Sequence, residues 1–170
     1  ADADADADAD TDADPCLGDV VTVNVSGTDY AIDSWIWVET SFGLKYAGFE
    51  TGGAGGACDA LADIGTLTDY LIRGVVNGPV TAGDTLNIEA PTAGPPPPSG
   101  VGAIAILGAG MTDVGTAQSG SANVTSFTAA GDLVLTAFTA TFDDGSTAAG
   151  DVTACYCADL ATIGEGGGGT

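Results

Sequence analysis

Histidine is missing from this 170-residue chain, and only two of its residues are basic, against 24 that are acidic. Without histidine, no imidazole can activate a serine or cysteine nucleophile, and no histidine can ligate a metal. At a formal net charge of −22, two bases cannot neutralise the phosphates of a nucleic acid or of an anionic membrane. We therefore exclude nucleic acid as a partner and expect that the chain is not an enzyme.

Long apolar runs are also missing. The longest one, residues 101–111, is shorter than the ~20 residues of a transmembrane helix and contains three glycines, so we expect no membrane insertion. The chain has neither a signal peptide nor an initiator methionine, from which we expect that the numbering starts at a processed mature end. Because 45% of the residues are apolar, a chain of this length can still build one core.

The four cysteines, Cys16, Cys58, Cys155 and Cys157, show no Cys-x-x-Cys spacing, which favours disulfides over a zinc site. Cys155 and Cys157 lie two apart in a strand-like stretch, where strand geometry holds their sulfurs apart. We therefore expect Cys16 and Cys58 each to bridge to one of these two, in either pairing, and a bridge between chains stays open. Disulfides imply an oxidising compartment, so we expect an extracellular or cell-surface protein.

Two asparagines, Asn24 and Asn123, each begin an Asn-x-Ser/Thr sequon. In the alternating run 20–25, Asn24 falls on the face opposite the valines, where an attached glycan would reach solvent. Both asparagines are therefore candidate glycosylation sites.

Short apolar runs separated by Gly- and Pro-rich connections predict an all-β fold. They indicate a β-sandwich or jelly-roll-like single domain over residues 15–164, preceded by an extended acidic segment, residues 1–14, and followed by a Gly-rich tail, residues 165–170. One short helix is predicted at 58–64, after a flexible loop at 52–56, and a polyproline II segment at 91–100. The predicted strands are 20–25, 30–40, 42–49, 70–76, 85–90, 102–107, 122–128, 133–142 and 152–157.

Gly-Asp pairs stand directly before apolar runs at Gly18, Gly83, Gly131 and Gly150. Glycine permits a turn, and the aspartate that follows can accept hydrogen bonds from nearby amides. We interpret the pair as a turn signal at the start of a strand.

The run 30–40 is apolar on both of its faces. Trp35 and Trp37 lie on one face. Such a strand is either covered on both sides within the fold or presents an aromatic face to a partner or a sugar. The second alternative makes Trp35 and Trp37 a candidate aromatic interface. The opposite face carries Ile32, Ile36 and Val38.

Asp143 and Asp144 form the chain's one obvious carboxylate pair, which is the arrangement that general acid–base catalysis would need. Gly145 follows them, and Asp-Asp-Gly between two apolar runs is typical of a hairpin turn. We interpret the pair as a turn and assign no catalytic residue.

The first 14 residues form an alternating ladder, with aspartate at every even position and a small residue at every odd one. A period of two suits a β-strand, which would place all the carboxylates on one side. Alanine buries too little surface to order such a segment alone, so we expect it to act as an assembly strand that needs a partner. The segment consists of Ala1, Asp2, Ala3, Asp4, Ala5, Asp6, Ala7, Asp8, Ala9, Asp10, Thr11, Asp12, Ala13 and Asp14.

This arrangement, an extended N-terminus before a β-domain, resembles that of extracellular pilus and cannula-type subunits, whose N-terminal extension completes the sandwich of the next subunit. The resemblance concerns layout and involves no sequence motif. It implies a homopolymer of identical subunits, in a filament, sheath or surface layer, joined by strand addition at an open sheet edge.

The aspartates of the ladder have two further interpretations. Alternate carboxylates can converge on Ca²⁺, although the glycine and glutamate positions of an EF-hand loop are absent; we expect no other cofactor. Alternatively, the acidic surface is an adaptation to high salt, where self-repulsion is screened. Two other function classes also stay open: a carbohydrate-binding or adhesive module, and a virion decoration or tail subunit.

Overall fold

A computed structural model describes residues 17–40, 43–49, 71–91, 99–108, 112–128 and 131–158. This part of the chain contains nine strands and no α-helix, so the predicted all-β fold is confirmed. The strands are β1 (Leu17–Val25), β2 (Thr28–Thr40), β3 (Gly43–Phe49), β4 (Leu71–Asn77), β5 (Thr85–Glu89), β6 (Val101–Gly108), β7 (Thr112–Phe127), β8 (Leu133–Phe142) and β9 (Thr147–Tyr156).

The strands form one closed barrel in the order β1-β2-β3-β4-β6-β5-β7-β8-β9. β1 separates β2 from β9 over part of their length, and farther along β2 and β9 pair directly in parallel, with Trp35 opposite Ala154. β5 separates β6 from β7 in the same way, and these two strands also pair directly farther along. The two layers of the predicted sandwich are therefore opposite walls of one continuous sheet.

The core is filled by inward-facing side chains of this sheet, with Trp35 and Trp37 as its largest members. Ile32 also belongs to this core, so the sequence-based pattern, which put Ile32 on the face opposite the tryptophans, is wrong. The inward side of β2 changes from even to odd positions between Ile32 and Trp35. The facing part of β1 shows a register shift at the same level, with the extra residues on the β1 side, between Leu17 and Val21.

A second irregularity lies in β8, between Leu135 and Phe138, both of which face the core. Ala137 has a φ of 53°, a left-handed conformation that is uncommon for a residue with a side chain. Its amide donates a hydrogen bond of 2.9 Å to Oδ1 of Asp151 on β9. Asp151 thus stabilises the bulge after which β8 again faces the core. The Gly150-Asp151 pair was predicted to form a turn, but Asp151 acts within strand β9.

Two of the four Gly-Asp pairs do form turns, those at Gly83 and Gly131, which precede β5 and β8. In the first, Oδ2 of Asp84 accepts hydrogen bonds from the amide and the hydroxyl of Thr81, at 2.8 and 2.9 Å. The other two pairs lie inside β1 and β9, so the prediction of a turn there is wrong. Both of these strands carry register shifts near the pair, and at Gly150 the absence of a Cβ allows the close approach of the β1 backbone at Val20 and Val21.

Gly48 on β3 shows why small residues are needed against the tryptophans. A Cβ added at Gly48 would lie 2.5 Å from ring atoms of Trp35. The ring of Trp35 also meets Phe138 edge-on, with 6.0 Å between the ring centroids. The indole is therefore held from two sides, and β3 can pass it only with a hydrogen at this position.

Several sequence-based predictions lie outside the described residues: the ladder at 1–14, the loop at 52–56, the helix at 58–64, most of the polyproline II segment at 91–100 and the tail at 165–170.

Candidate functional site

Trp35 and Trp37 lie in the core, with exposed fractions of 0% and 1%. The indole of Trp37 donates a hydrogen bond of 2.8 Å to the carbonyl of Gly131 and packs against Phe127 and Tyr156, with ring centroids 4.9 and 4.8 Å away. The predicted aromatic interface at these two residues is therefore wrong, because both rings are buried by packing within the chain and neither is exposed to a partner. A sugar site built on stacked tryptophans is excluded for the same reason.

Asp143 and Asp144 form the turn between β8 and β9. Oδ1 of Asp143 accepts a hydrogen bond of 2.9 Å from the amide of Thr116 on β7. Asp144 accepts bonds from the amide and the hydroxyl of Ser146, at 3.0 and 2.6 Å, and Gly145 adopts a φ of 88°. Asp144 thus stabilises the turn from within, Asp143 joins the turn to β7, and the predicted hairpin turn is confirmed.

The two sequon asparagines differ in their surroundings. Asn24 is half-buried; its amide donates to Oδ1 of Asp29 at 2.6 Å, and its oxygen accepts from the amide of Gly27 at 3.1 Å. Asn123 is exposed on β7, where its oxygen accepts a bond of 3.2 Å from the hydroxyl of Thr85. Glycosylation at either position stays a prediction.

Cys155 and Cys157 lie at the end of β9, where both are buried, with exposed fractions of 9% and 3%. No free cysteine occurs in the described part of the chain. The amide of Cys157 donates to the carbonyl of Trp37 at 3.0 Å, which holds the end of β9 against β2. Their predicted partners, Cys16 and Cys58, lie outside the described residues, so the pairing stays a prediction.

One side of the barrel, formed by β5, β7, β8, β9 and β1, presents rows of hydroxyl groups to solvent. One row runs across the strands through Ser119, Thr141 and Thr147, each directly opposite the next. All its members are exposed or half-buried. This hydroxyl face comprises Thr22, Thr85, Ser119, Ser121, Thr136, Thr139, Thr141 and Thr147.

The opposite side of the barrel carries the two basic residues of the chain, Lys45 on β3 and Arg73 on β4. Lys45 pairs with Val75, and Arg73 pairs with Ala47, so the two bases are diagonal neighbours on adjacent strands. Directly paired residues share a face of the sheet, and diagonal neighbours lie about 7–8 Å apart. Ile72 and Val76 face the core, which places Arg73 and Val75 outward.

We call this region the two-base surface and define it as Lys45, Arg73, Val75, Ala103 and Ala105, the two alanines lying opposite Val75 and Arg73 on β6. Lys45 is half-buried and Arg73 is exposed. Val75 is 40% exposed, and among the described residues only Val20 is a more exposed large apolar side chain.

The cations of the two-base surface have apolar neighbours across the strands. Lys45 lies between Val38 and Val75, and Arg73 lies between Ala47 and Ala105. The described residues include eleven acidic side chains, and none of them is directly opposite either base. Glu39 is one position beyond Val38 on β2, but successive side chains of a strand point to opposite faces.

Neither of these two bases was predicted as a site residue from the sequence. The sequence did contain a signal for them. Lys45 and Arg73 are its only basic side chains, and they lie in two consecutive predicted strands, 42–49 and 70–76. Their adjacency depends on the register between β3 and β4, which no local pattern specifies.

No three His, Cys, Asp or Glu side chains form a metal-binding group within the described residues, and the aspartates proposed for Ca²⁺ lie outside them. The same part of the chain has no helix with the length and apolar character to cross a membrane. The chain matches no protein-family model, no curated protein and no solved structure.

Proposed function

We propose that this chain is a secreted structural subunit of an extracellular assembly, a filament, sheath or surface layer, in which the acidic segment 1–14 joins one subunit to the next. One observation supports this proposal above all. The barrel begins at Leu17 and closes with strands of its own, while fourteen regularly alternating residues precede it. The nine described strands close the barrel among themselves, so closure does not require the segment, and we infer that the segment is available to another chain.

The way in which the segment attaches is constrained by the closed sheet. Strand addition requires an open edge. Each of the nine described strands has a paired strand on both sides. The described barrel therefore favours attachment through side chains on its outer face over insertion of the segment as an extra strand.

The cysteines are consistent with an extracellular location. Neither Cys155 nor Cys157 is a free thiol; Cys155 lies on β9, the strand that closes the barrel against β1 and β2, and Cys157 follows directly after it. Bridges from these residues to Cys16 and Cys58 would persist in an oxidising compartment. A bridge at Cys16 would also fix the point at which the acidic segment leaves the barrel.

Deletion of residues 1–14 tests the proposed function. We expect folded, disulfide-bonded monomers, whereas the intact chain assembles into polymers visible by negative-stain microscopy and light scattering. The matched control keeps the composition and net charge of the segment but groups its seven aspartates in one block, which removes the period of two. This control should assemble more weakly than the intact chain. Polymers of the deletion variant as long as those of the intact chain would contradict the proposal.

A further inference from the structure

We propose that the two-base surface is the docking site for residues 1–14 of a second copy of this chain, whose successive aspartates pair with Lys45 and Arg73. This inference rests on the proposed function, that the acidic segment joins subunits, and it identifies the surface that receives the segment.

Charge selects this surface. With a net charge of −22, two copies of the chain repel each other over most orientations. Lys45 and Arg73 are the only side chains that can attract a carboxylate at neutral pH, and they are neighbours on one face. The acidic segment 1–14, which has the highest density of carboxylates, can therefore form side-chain ion pairs with another copy only at Lys45 and Arg73.

Spacing supports the same assignment. In an extended segment, residues two apart are separated by about 6.6–6.8 Å, twice the rise per residue. The diagonal between Lys45 and Arg73 spans about 7–8 Å. Two consecutive aspartates of the ladder can therefore meet both bases at once, and any consecutive pair along the segment can do so equally.

The neighbours of the two bases strengthen the attraction. The side chains across the strands from Lys45 and Arg73 are valine and alanine, so no acidic group directly opposite competes for either cation. Val75 is 40% exposed and the two alanines beside it on β6 are small, so a backbone can approach the sheet there; Val38, on the β2 side of Lys45, is already buried. Alanine at the odd positions of the segment is small enough to allow that approach.

Carbodiimide cross-linking tests the contact directly, because Lys45 is the one lysine of the chain. The reagent condenses an amine with a nearby carboxylate into an amide, so a cross-link other than one from the N-terminal amine must involve Lys45. Intact chains, half of them labelled with ¹⁵N, are mixed, assembled, cross-linked and analysed by mass spectrometry. We expect Lys45 joined to aspartates of residues 1–14, in peptides that combine labelled and unlabelled chains. Cross-links of Lys45 only to other acids, or only within one chain, would overturn the inference.

Variants of the full chain provide the second readout. Lys45→Gln with Arg73→Gln should raise the concentration needed for assembly by about tenfold at low salt, through the loss of two ion pairs. The control Thr139→Glu with Thr141→Glu, on the hydroxyl face, changes the net charge by the same amount and should assemble far more readily than the glutamine pair. Lys45→Arg with Arg73→Lys keeps both charges and should assemble like the unmodified chain. Equal assembly of the glutamine pair and the hydroxyl-face control would overturn the inference.

The outcomes separate this inference from the proposed function. If the deletion of 1–14 abolishes polymers while the glutamine pair still assembles like its control, the segment is the connector but docks elsewhere. If the deletion variant polymerises normally, the proposed function itself fails.

Discussion

At the scale of single residues, aspartate occurs in two different settings in this protein. In the described part of the chain its carboxylates cap turns and bulges, as Asp84, Asp143, Asp144 and Asp151 do by accepting backbone hydrogen bonds. In residues 1–14, by contrast, aspartate repeats at every second position of the sequence. A high aspartate content therefore reflects fold construction as well as surface charge.

Asp143 permits a residue-scale prediction. Asp143→Ala should lower the free energy of unfolding by about 1 kcal/mol, because the amide of Thr116 loses its acceptor. Asp143→Asn keeps an oxygen at that position and should lose clearly less. Urea unfolding, followed by the fluorescence of the two buried tryptophans, measures both variants. Equal losses would mean that the negative charge, and not the acceptor, stabilises the turn.

At the scale of strands, the sequence was informative wherever large apolar residues recur. β2, β3, β4 and β8 were predicted within a few residues of their bounds, since their side chains alternate or are continuously apolar. β7 was predicted from residue 122 but begins at Thr112. Its first half is rich in Gly, Ser and Thr, and pairing with β5, β6 and β8 imposes the extended conformation there. Barrel closure and the two-base surface likewise depend on long-range register, which local periodicity does not contain.

The end of β9 gives an element-scale prediction. Peptide mapping under non-reducing conditions should join Cys16 and Cys58 to the Cys155–Cys157 pair, because these two buried residues are not free thiols. Each bridge should stabilise the fold by about 2–4 kcal/mol, so that reduction lowers the unfolding midpoint in urea. A map that joins Cys155 to Cys157, or finds four free thiols, would contradict this pairing.

At the scale of the whole molecule, the two sides of the barrel differ in chemistry. One side carries the hydroxyl face, and the other carries the two-base surface, in which valine and alanine lie opposite both cations. The net charge of −22 is therefore unevenly compensated. In the proposed assembly, this difference would give each subunit a defined orientation relative to its neighbours, which a uniformly acidic particle would lack.

The net charge also predicts how the fold responds to salt. Raising NaCl from about 0.05 M to 1 M should raise the thermal midpoint, because the Debye length falls to about 3 Å and self-repulsion is screened. Calcium at millimolar concentration and constant ionic strength separates a specific site from screening, and a chelator should reverse its effect. A midpoint that is indifferent to desalting and to chelator would exclude both explanations.

Closure of the barrel has a consequence for how the chain acquires its structure. β1 pairs with β9, so the first and last described strands of the chain meet, with Val21 opposite Gly150. Contacts between residues so distant in sequence slow folding, because the loop must close before the contact is gained. During synthesis, the edge of β1 that pairs with β9 stays unpaired until β9 has been made. The barrel can therefore close only after the ribosome has made β9, and until then its strands present open edges to chaperones and to one another.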